Sequence, residues 1–433
     1  LDMRFPNNFN LENIDEFLRG LGHNQSIQDI GIFSSLGESY HRLIPFVRNN
    51  KSLNCLSFCD VDIGLCARSI ALLLGQQSSF RSLGFSHTDL GDAELIEIAS
   101  ALRKQPQLEE LYFYYNNIGR DGCVALGGAM EGLKNPKLST FCFECNNIDD
   151  EGLCALVEGL KNCHNLTSLI LSGNELITET GLRTLSTLFQ SDHCRLERLD
   201  LDLRQMNIDT DGAGALTSRL TSLVSLKKLD LQDNRIGDLG VAGAGGLVNC
   251  LDLNLSSNAI NDEWVQCLVD SMTQHCNLTN LDLSDNSIAA VGFRSLARFL
   301  RSDNCRLIDL YLHNIRFGDE GAVALTGGLS GNTSLRYLGF GFGPVSGRYV
   351  GLNITTRGQA AFSKLLCDTS SVNNTYLSNH TIESIWGVRH ASPDVVQYLR
   401  INRLSHQFAA IRKILLSHPD IDMKPLFRWK LKC

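Results

Sequence analysis

Residues 278–288 read LTNLDLSDNSI. Leu281 and Leu283 alternate with polar residues, and this period of two predicts a short strand with one buried face. Asn286 follows where the chain leaves the strand, and its side chain can bond backbone groups there, which an apolar side chain cannot do. A helical half comes next, and strands joined by one helical crossover must pair in parallel. The stretch therefore predicts one strand–helix unit of an α/β protein.

Copies of this pattern, L-x-x-L-x-L-x-x-N-x-I, recur along most of the chain. We count 13 copies, which begin at Ile27, Leu53, Phe80, Leu108, Leu138, Leu166, Leu196, Leu226, Cys250, Leu278, Leu307, Leu335 and Val372. One unit buries too little apolar surface to fold alone, so neighbouring units must stack. The repeat therefore predicts an α/β solenoid (horseshoe), with parallel strands on its concave face and helices on its convex face.

The repeats divide the chain into three predicted parts. Residues 1–25 are an N-terminal flank, interpreted as a partial repeat or cap because 11–21 look like a helical half without its strand. Residues 26–382 are the array, and residues 383–433 are a basic helical cap. The cap helix starts at Ser392-Pro393, a capping residue followed by Pro at the first helical position. Apolar residues then recur at helical spacing: Val396, Leu399, Leu404, Phe408, Ile411 and Leu415.

Two copies break the pattern. In the seventh, taken as Leu199 and Leu201 followed by Ile208, the Ile position comes two residues late, which predicts a bulge over 203–206. In the twelfth, nine extra residues lie within 339–352. This stretch is rich in glycine but lacks G-K-S/T, so it does not predict a phosphate loop. A tolerated surface insertion and a loop that contacts a partner both remain open.

A glycine recurs four residues after the Ile position, as at Gly122 and Gly292. It is expected where helix and strand backbones come closest. The period, the Asn ladder and helices such as Gly321–Leu325 resemble leucine-rich repeats of the ribonuclease-inhibitor type. Similar arrays occur in Ran GTPase-activating proteins and in the sensor regions of NOD-like receptors. The resemblance implies a horseshoe that binds other proteins. The run 423–429, MKPLFRW, is also similar to diatom-type algal repeat families.

Composition excludes several classes of protein. The 433 residues are 43% hydrophobic and 20% charged, unlike a disordered chain, and no apolar run is long enough to span a membrane. The formal net charge of −8 argues against general nucleic-acid binding. The sequence contains no H-E-x-x-H, G-x-S-x-G, Walker or kinase motif, so we expect no enzyme, metal site or cofactor.

Cysteines number 15, an odd count spread along the chain rather than a compact disulfide framework. Cys194, Cys276 and Cys305 share one repeat position and are expected to be buried and unpaired. Cys142 and Cys145 have C-x-x-C spacing but no second pair at zinc spacing, which favours a structural role. Reduced thiols favour an intracellular, cytoplasmic setting, although a leader upstream of Leu1 is left open.

The strand face that is not buried holds the candidate binding residues. An acidic stripe is predicted from Asp200, Asp230, Asp252, Asp282 and Asp309. Aromatic anchors are predicted at Tyr112, Tyr114 and Tyr115 and at Tyr311, Tyr337 and Phe342, because exposed aromatic residues are typical of interfaces. The alternative is that Leu-Asp-Leu is simply common in such repeats and has no binding role, with Arg198 and Lys228 neutralising part of the charge.

Three functions are compatible with this pattern. The first is a non-catalytic scaffold that binds a basic protein or peptide on its concave face, without nucleic acid. The second is a GTPase-activating regulator of the Ran-directed type, although residues 389–433 carry nine Lys or Arg against three Asp or Glu where such proteins have an acidic tail. The third is the ligand-sensing repeat region of a larger NOD-like receptor. The oligomeric state is left open.

Overall fold

A computed structural model describes the chain over residues 2–3, 19–20, 23–24, 26–33, 48–64, 66–76, 79–133, 136–189, 200–220, 226–237, 244–274, 276–340, 354–386, 393–404 and 408–420. The chain forms two compact units, Leu1–Leu251 and Asp252–Cys433, which we call unit 1 and unit 2.

Unit 1 alternates strands with helices. Its described strands are β1 (Asp2–Met3), β2 (Asp29–Phe33), β3 (Cys55–Cys59), β4 (Ser82–Ser86), β5 (Glu110–Tyr114), β6 (Thr140–Cys142), β7 (Ser168–Ile170), β8 (Asp200–Asp202) and β9 (Lys228–Asp230). Its described helices are α1 (Ala67–Gln76), α2 (Asp92–Leu102), α3 (Arg120–Glu131), α4 (Asp150–Leu160), α5 (Glu179–Leu188) and α6 (Thr210–Leu220), with a 3-10 helix at Ala244–Asn249. Each strand pairs in parallel with the next one along the chain.

Unit 2 repeats the arrangement and adds a helical end. Its described strands are β10 (Asp252–Asn254), β11 (Asn280–Asp282), β12 (Asp309–Tyr311), β13 (Tyr337–Gly339) and β14 (Ser384–Trp386), again paired in parallel in chain order. Its described helices are α7 (Asp262–Gln274), α8 (Ala290–Leu300), α9 (Gly318–Leu329), α10 (Thr356–Leu366), α11 (Val372–Leu377), α12 (Pro393–Leu404) and α13 (Ala409–Ser417). The predicted α/β solenoid of parallel strands is confirmed in each unit.

The core of each repeat is built from the template leucines and the ladder asparagine. Leu281 and Leu283 are fully buried. The Asn286 side chain accepts hydrogen bonds from the backbone N–H groups of Asn258 and Ile260 at 3.0 and 2.9 Å, and donates one to the Leu255 carbonyl at 2.9 Å. Asn116, Asn146, Asn174 and Asn234 make equivalent bonds to the preceding repeat. In these repeats the ladder thus satisfies backbone groups where the strands end, as predicted.

The repeated glycine has a different role from the one expected. A Cβ atom on Gly292 would lie 2.6 Å from Asp262 Oδ1 and 2.6 Å from Ile288 Cγ2. Asp262, at the start of the preceding helix, accepts a hydrogen bond from the Ala289 N–H at 2.6 Å. The glycine therefore makes room for a carboxylate that bonds the next repeat, rather than for contact between helix and strand backbones.

The predicted bulge in the seventh repeat is wrong. Leu201 pairs with Leu169 of the preceding strand, so the template leucines are Leu201 and Leu203 rather than Leu199 and Leu201. Leu203 is fully buried, and Met206 occupies the ladder position, where its N–H bonds Asn234 at 3.0 Å. The two extra residues therefore precede the strand, because this register lets two leucines and Met206 fill the core.

The predicted thirteenth strand is also wrong. Residues Val372–Leu377 form helix α11, with Ser371 accepting a hydrogen bond from the Asn374 N–H as an N-cap. The next strand of the sheet is β14, which pairs with β13 through Leu338 and Ile385. This strand lies beyond residue 382, where the array was expected to end.

The C-terminal helices do not follow the predicted apolar spacing. Helix α12 starts at Pro393 as predicted, but α13 is a separate helix. Four residues of the predicted apolar series are exposed: Val396, Leu404, Phe408 and Leu415. The cap buries a different set, which includes Ile401, Asn402, Lys413 and Ile414. Polar groups at the end of the last repeat contribute to the choice of buried helix faces. Apolar spacing alone therefore could not predict which faces are buried.

Candidate binding surface

The open strand face of unit 2 gathers five of the predicted residues. Strand register places Asp252, Asn280, Asp309 and Tyr337 in one row across β10 to β13. Asp282 and Tyr311 are paired in the adjacent row. Neighbouring strands lie about 4.8 Å apart, so these side chains are close neighbours. We call the set Asp252, Asp282, Asp309, Tyr311 and Tyr337 the acidic–aromatic surface.

Asp309 is a carboxylate whose charged form is disfavoured by its surroundings. Burial, and then the charge of Asp252, raise the pKa of its carboxyl above the ordinary value. Its Oδ1 atom is buried and has no hydrogen-bond partner within the described residues. A buried acceptor without a donor costs free energy. The site therefore favours a ligand that brings a positive charge or a hydrogen-bond donor to Asp309.

Tyr311 lies at the centre of this surface. Burial raises the pKa of its hydroxyl, followed in order by the charges of Asp309, Asp282 and Asp252. The rings of Tyr311 and His313 are stacked, with centroids 5.8 Å apart. A Cβ atom on Gly339 would lie 2.7 Å from the His313 ring and 3.0 Å from Tyr311. The glycine on the next strand therefore keeps space for both rings.

Tyr337 is the most exposed member, with 38% of its surface accessible. Its hydroxyl donates a hydrogen bond to Glu383 Oε2 at 3.3 Å, and Arg336 lies 3.7 Å from Oε1 of the same carboxylate. Glu383 is 8% exposed, so these contacts hold the tyrosine from below while its ring stays accessible. Exposed and yet fixed aromatic rings are well suited to serve as interface anchors.

Unit 1 carries the other predicted aromatic group at the ends of β4 and β5. The Tyr115 ring stacks on His87 at 4.6 Å between centroids and meets Tyr114 edge-on at 4.5 Å. Tyr115 has a φ of 53° and is 45% exposed, and its hydroxyl donates a hydrogen bond to the Cys145 sulfur, the main cause that raises its pKa to about 12. Tyr112 is half-buried on the same strand face, and burial raises its pKa to about 12. The structure thus brings Tyr114 and Tyr115 together and adds His87.

Three carboxylates on the strand face of unit 1 have a cation beside them. Arg204 lies 2.8 Å from Asp202 and 3.6 Å from Glu144, and Lys228 lies 3.6 Å from Asp230. Asp230 is only 6% exposed, whereas it was predicted on an open acidic stripe. Burial and then the charge of Asp202 raise its pKa. These contacts suit an internal ion network better than a free acidic surface.

The aspartates of the predicted stripe lie in two rows. Asp230 and Asp282 occupy the middle template position, whereas Asp200, Asp252 and Asp309 occupy the position before the second leucine. Asp202, not Asp200, is the residue of β8 that pairs with Asp230. The side chain of Asp200, and Phe342 with residues 341–353, lie outside the described part of the chain. Sequence reasoning missed Asp202 and Arg204 because the seventh repeat was placed two residues off.

The described cysteines are free thiols, several of them buried. Burial raises the pKa of Cys142 to about 11 and that of Cys145 above its ordinary value, which keeps both thiols protonated and weakly reactive. Cys276 is a buried and Cys305 a half-buried free thiol, whereas Cys194 lies outside the described residues. In the described ranges, no group of three or more His, Cys, Asp or Glu is arranged to hold a metal ion. None of the helices described has the length and apolar character needed to cross a membrane.

Comparison with known proteins bears on the repeats. Four segments match the family model for a leucine-rich repeat, residues 134–157, 162–186, 222–243 and 274–297. The chain is 27% identical over 297 residues to NACHT, LRR and PYD domains-containing protein 14 of Mus musculus, covering 67% of this chain and 30% of that protein. It is 26% identical over 376 residues to the ribonuclease inhibitor of Sus scrofa, covering 78% and 79%. A ribonuclease inhibitor of Mus musculus is 29% identical over 250 residues, covering 56% and 53%. The chain thus spans about a third of the NACHT protein's length.

Proposed function

We propose that this protein, a leucine-rich-repeat protein of the ribonuclease-inhibitor and NOD-like-receptor type, is a non-catalytic scaffold that binds a basic protein or peptide. The binding site is the acidic–aromatic surface of unit 2. The observation that carries the proposal is the convergence of Asp252, Asp282 and Asp309 around Tyr311 on an open strand face.

A positively charged ligand would remove an electrostatic cost that the free protein bears. Asp309 and Asp252 repel each other, and the buried Oδ1 of Asp309 lacks a donor among the described residues. An arginine or lysine side chain of a partner would supply both the opposite charge and the missing donor. The same group could contact the face of the Tyr311 or Tyr337 ring, since cations are attracted to aromatic faces.

The two kinds of residue are expected to act on different steps of binding. Carboxylates at the surface attract a basic partner before contact, so they chiefly increase the association rate, and salt screens their effect. The tyrosine rings act after contact, because a buried aromatic anchor mainly slows dissociation. This separation gives the proposal two independent kinetic signatures.

The test begins with affinity capture from the native source, followed by mass spectrometry of the bound proteins. Surface plasmon resonance at two salt concentrations then compares the wild type with Asp309→Asn and Tyr337→Ala. We expect Asp309→Asn to slow association and reduce its salt dependence, and Tyr337→Ala to speed dissociation about 5- to 100-fold, or about 1–3 kcal/mol. Glu97→Gln changes the same charge on an exposed position of helix α2 and serves as the matched control. Unchanged rates in both site variants, with the partner still bound, would exclude this surface.

The similarity to NACHT, LRR and PYD domains-containing proteins favours a second candidate. Because the matched region is about a third of such a protein, the chain could be the repeat region of a larger receptor. The binding surface would then report a ligand to other domains. A Ran-directed GTPase-activating role is separated by a stimulated-GTPase assay, in which the scaffold proposal expects no acceleration.

We also propose an intracellular location for the protein. Cys276 and Cys305 lie one repeat apart at the same template position and are free thiols. Free thiols persist in the reducing cytosol. Fractionation with thiol labelling of the native protein would test this, and oxidised Cys276 or Cys305 in the isolated protein would contradict it.

A further inference from the structure

Helix α13 buries a lysine in the C-terminal end of unit 2. Lys413 has no exposed surface. Its ammonium donates hydrogen bonds to the Leu366 carbonyl at 2.5 Å and the Asn379 carbonyl at 2.9 Å, and lies 3.1 Å from His380 Nδ1. Leu366 is the last residue of α10, where helix carbonyls carry partial negative charge. Lys413 therefore binds the end of the last repeat helix to the cap.

The lysine takes the place of an amide that recurs at earlier helix ends. Asn332 donates to the Leu300 carbonyl at the end of α8 at 2.7 Å, and Asn379 donates to the Leu329 carbonyl at the end of α9 at 2.9 Å. Lys413 makes the corresponding bond to α10. A neutral amide satisfies a carbonyl at any pH, whereas an ammonium adds a charge that neighbouring titratable groups can oppose.

The partner of this ammonium is a histidine in one defined tautomer. His380 Nε2 lies 3.0 Å from the Tyr376 carbonyl, which can only accept, so Nε2 carries the proton and donates. Nδ1 is then the acceptor for Lys413. A second proton on His380 would sit on Nδ1 and point at the ammonium. Two donors and two positive charges would then face each other inside the cap.

Hydrophobic burial accounts for only part of the orientation of α13, in which Ala409 and Ile414 are buried beside Lys413. Leu415 and Leu416 are 45% and 54% exposed, whereas Lys413 of the same helix is fully buried. The polar contacts of Lys413 therefore add to the apolar contacts of the face that packs on the repeats, and losing them leaves a buried cation without partners and weakens this packing.

We propose that Lys413 and His380 form an acid-sensitive latch that holds helix α13 on the last repeat helix. Protonation of His380 breaks the Lys413 contact, and α13 detaches from the end of α10. The latch regulates the closure of the C-terminal end of the array and is independent of the proposed ligand surface.

Other titratable groups pack around the latch. Cys367 at the end of α10 acts on Lys413, and the Tyr398 ring of α12 lies 5.9 Å from its Nζ atom. His418, at the end of α13, contacts Thr375 at 3.0 Å rather than Lys413. His380 is therefore the group expected to titrate against the lysine when the solution becomes acidic.

The directions of the pKa shifts agree with this geometry. Burial, and then the charge of Lys413, lower the pKa of His380 from 6.5 to about 4. The detached form thus binds the proton more readily, so the contribution of neutral His380 to the latch is complete above pH 6.5 and is lost as pH falls toward 4. Burial lowers the pKa of Lys413 from 10.5 to about 7, so its own titration lies above this window.

Hydrogen exchange of the full chain tests the latch. Peptides covering Ala409–Ser417 are followed by mass spectrometry between pH 7 and pH 4.5, after correction for intrinsic exchange rates. The protection of α13 should fall by nearly tenfold per pH unit below about 6.5, because one proton is taken up on opening. Peptides from α7, Asp262–Gln274, should keep their protection and serve as the internal reference.

Three variants decide the outcome. In His380→Gln the amide bonds both neighbours without titrating, so α13 should stay protected with no pH dependence. His418→Gln, the matched control on the same cap, should behave like the wild type. Lys413→Met should expose α13 at every pH. Wild-type protection that is flat down to pH 4.5, or a pH dependence that persists in His380→Gln, would overturn the proposal. Because His380→Gln is expected to keep its fold, the test does not depend on Lys413→Met folding.

Discussion

The open strand faces of the two units both carry aspartates, but the surroundings of these aspartates differ. In unit 1, Asp202 lies 2.8 Å from Arg204, which also reaches toward Glu144. In unit 2, the charge of Asp252 helps to raise the pKa of Asp309. The Oδ1 atom of Asp309 has no hydrogen-bond donor within the described residues. The fold thus supplies a cation to Asp202, whereas Asp309 keeps a buried oxygen without a donor, which costs folding free energy.

This difference depends on which residue the neighbouring position supplies. In unit 1 an arginine stands two residues after Asp202 and a lysine two residues before Asp230. In unit 2 the residues two after Asp282 and Asp309 are Ser284 and Tyr311. Aspartates on the strand face therefore serve stability in one unit and are suited to binding in the other. Proteins that leave buried charges unsatisfied commonly do so at functional sites.

The largest effect on stability should come from the core, and it should be the same in both units because it does not depend on the open strand face. Leu229→Ala in unit 1 and Leu281→Ala in unit 2 each remove a fully buried side chain from a strand. Each should lower the free energy of unfolding by about 2–5 kcal/mol, since the cavity cannot fully collapse. Urea denaturation followed by circular dichroism measures it. A cost below about 1 kcal/mol in either unit would mean that its strand is not part of a packed core.

The next effect should separate the two faces. Arg204→Met leaves Asp202 and Glu144 without their cation, and should destabilise unit 1 by about 1–3 kcal/mol. Protection of β8 and β9 against hydrogen exchange reports it. Arg183→Met is the matched control, because the Arg183–Glu179 pair lies on an exposed helix surface and should contribute less than about 1 kcal/mol. Equal effects of the two substitutions would remove the contrast between the faces.

Asp309→Asn should raise the stability of unit 2, whereas Arg204→Met should lower that of unit 1. Removing the charge ends the repulsion by Asp252, so unit 2 should gain up to about 1 kcal/mol at neutral pH. The folded pKa of Asp309 is raised, so its stabilising contribution is complete below its ordinary value of 3.8 and is lost as pH rises through the folded value. Stability measured from pH 3 to 7 should therefore fall less in Asp309→Asn than in the wild type. Asp202→Asn should instead lose stability, since it weakens a bond to Arg204.

The sequence was sufficient to predict the features that depend only on the residues of a single repeat. Leucine alternation and the ladder asparagine were enough for the parallel strands and for bonds such as Asn286 to Leu255. The seventh repeat was misplaced because residues 199–203 read LDLDL, so two registers satisfy the same pattern. Only packing against Leu169 and Met206 decides between them.

The C-terminal cap could not be predicted in the same way. Its apolar spacing favoured a face containing Leu415, yet the structure buries Lys413. The lysine is selected by carbonyls at the end of α10 and beside His380, which come from distant parts of the chain. Likewise, the unsatisfied Oδ1 of Asp309 depends on neighbours one and two strands away. Such contacts have no local sequence pattern.

The smallest effect on stability should come from the hydroxyl groups of two tyrosines, one on each strand face, and it sharpens the comparison between the faces. Tyr337→Phe removes the 3.3 Å bond to the buried Glu383, and Tyr115→Phe removes the bond to Cys145. The loss of a bond to a carboxylate should cost more than the loss of one to a thiol, so we expect about 0.5–1 kcal/mol for Tyr337→Phe and less for Tyr115→Phe. Both variants keep the ring, so the dissociation rate of a captured partner should change little, in contrast to Tyr337→Ala. Thermal unfolding with surface plasmon resonance measures both quantities. If the partner dissociated from Tyr337→Phe as fast as from Tyr337→Ala, the hydroxyl and not the ring would be the anchor. The contact with Glu383 would then belong to the binding surface.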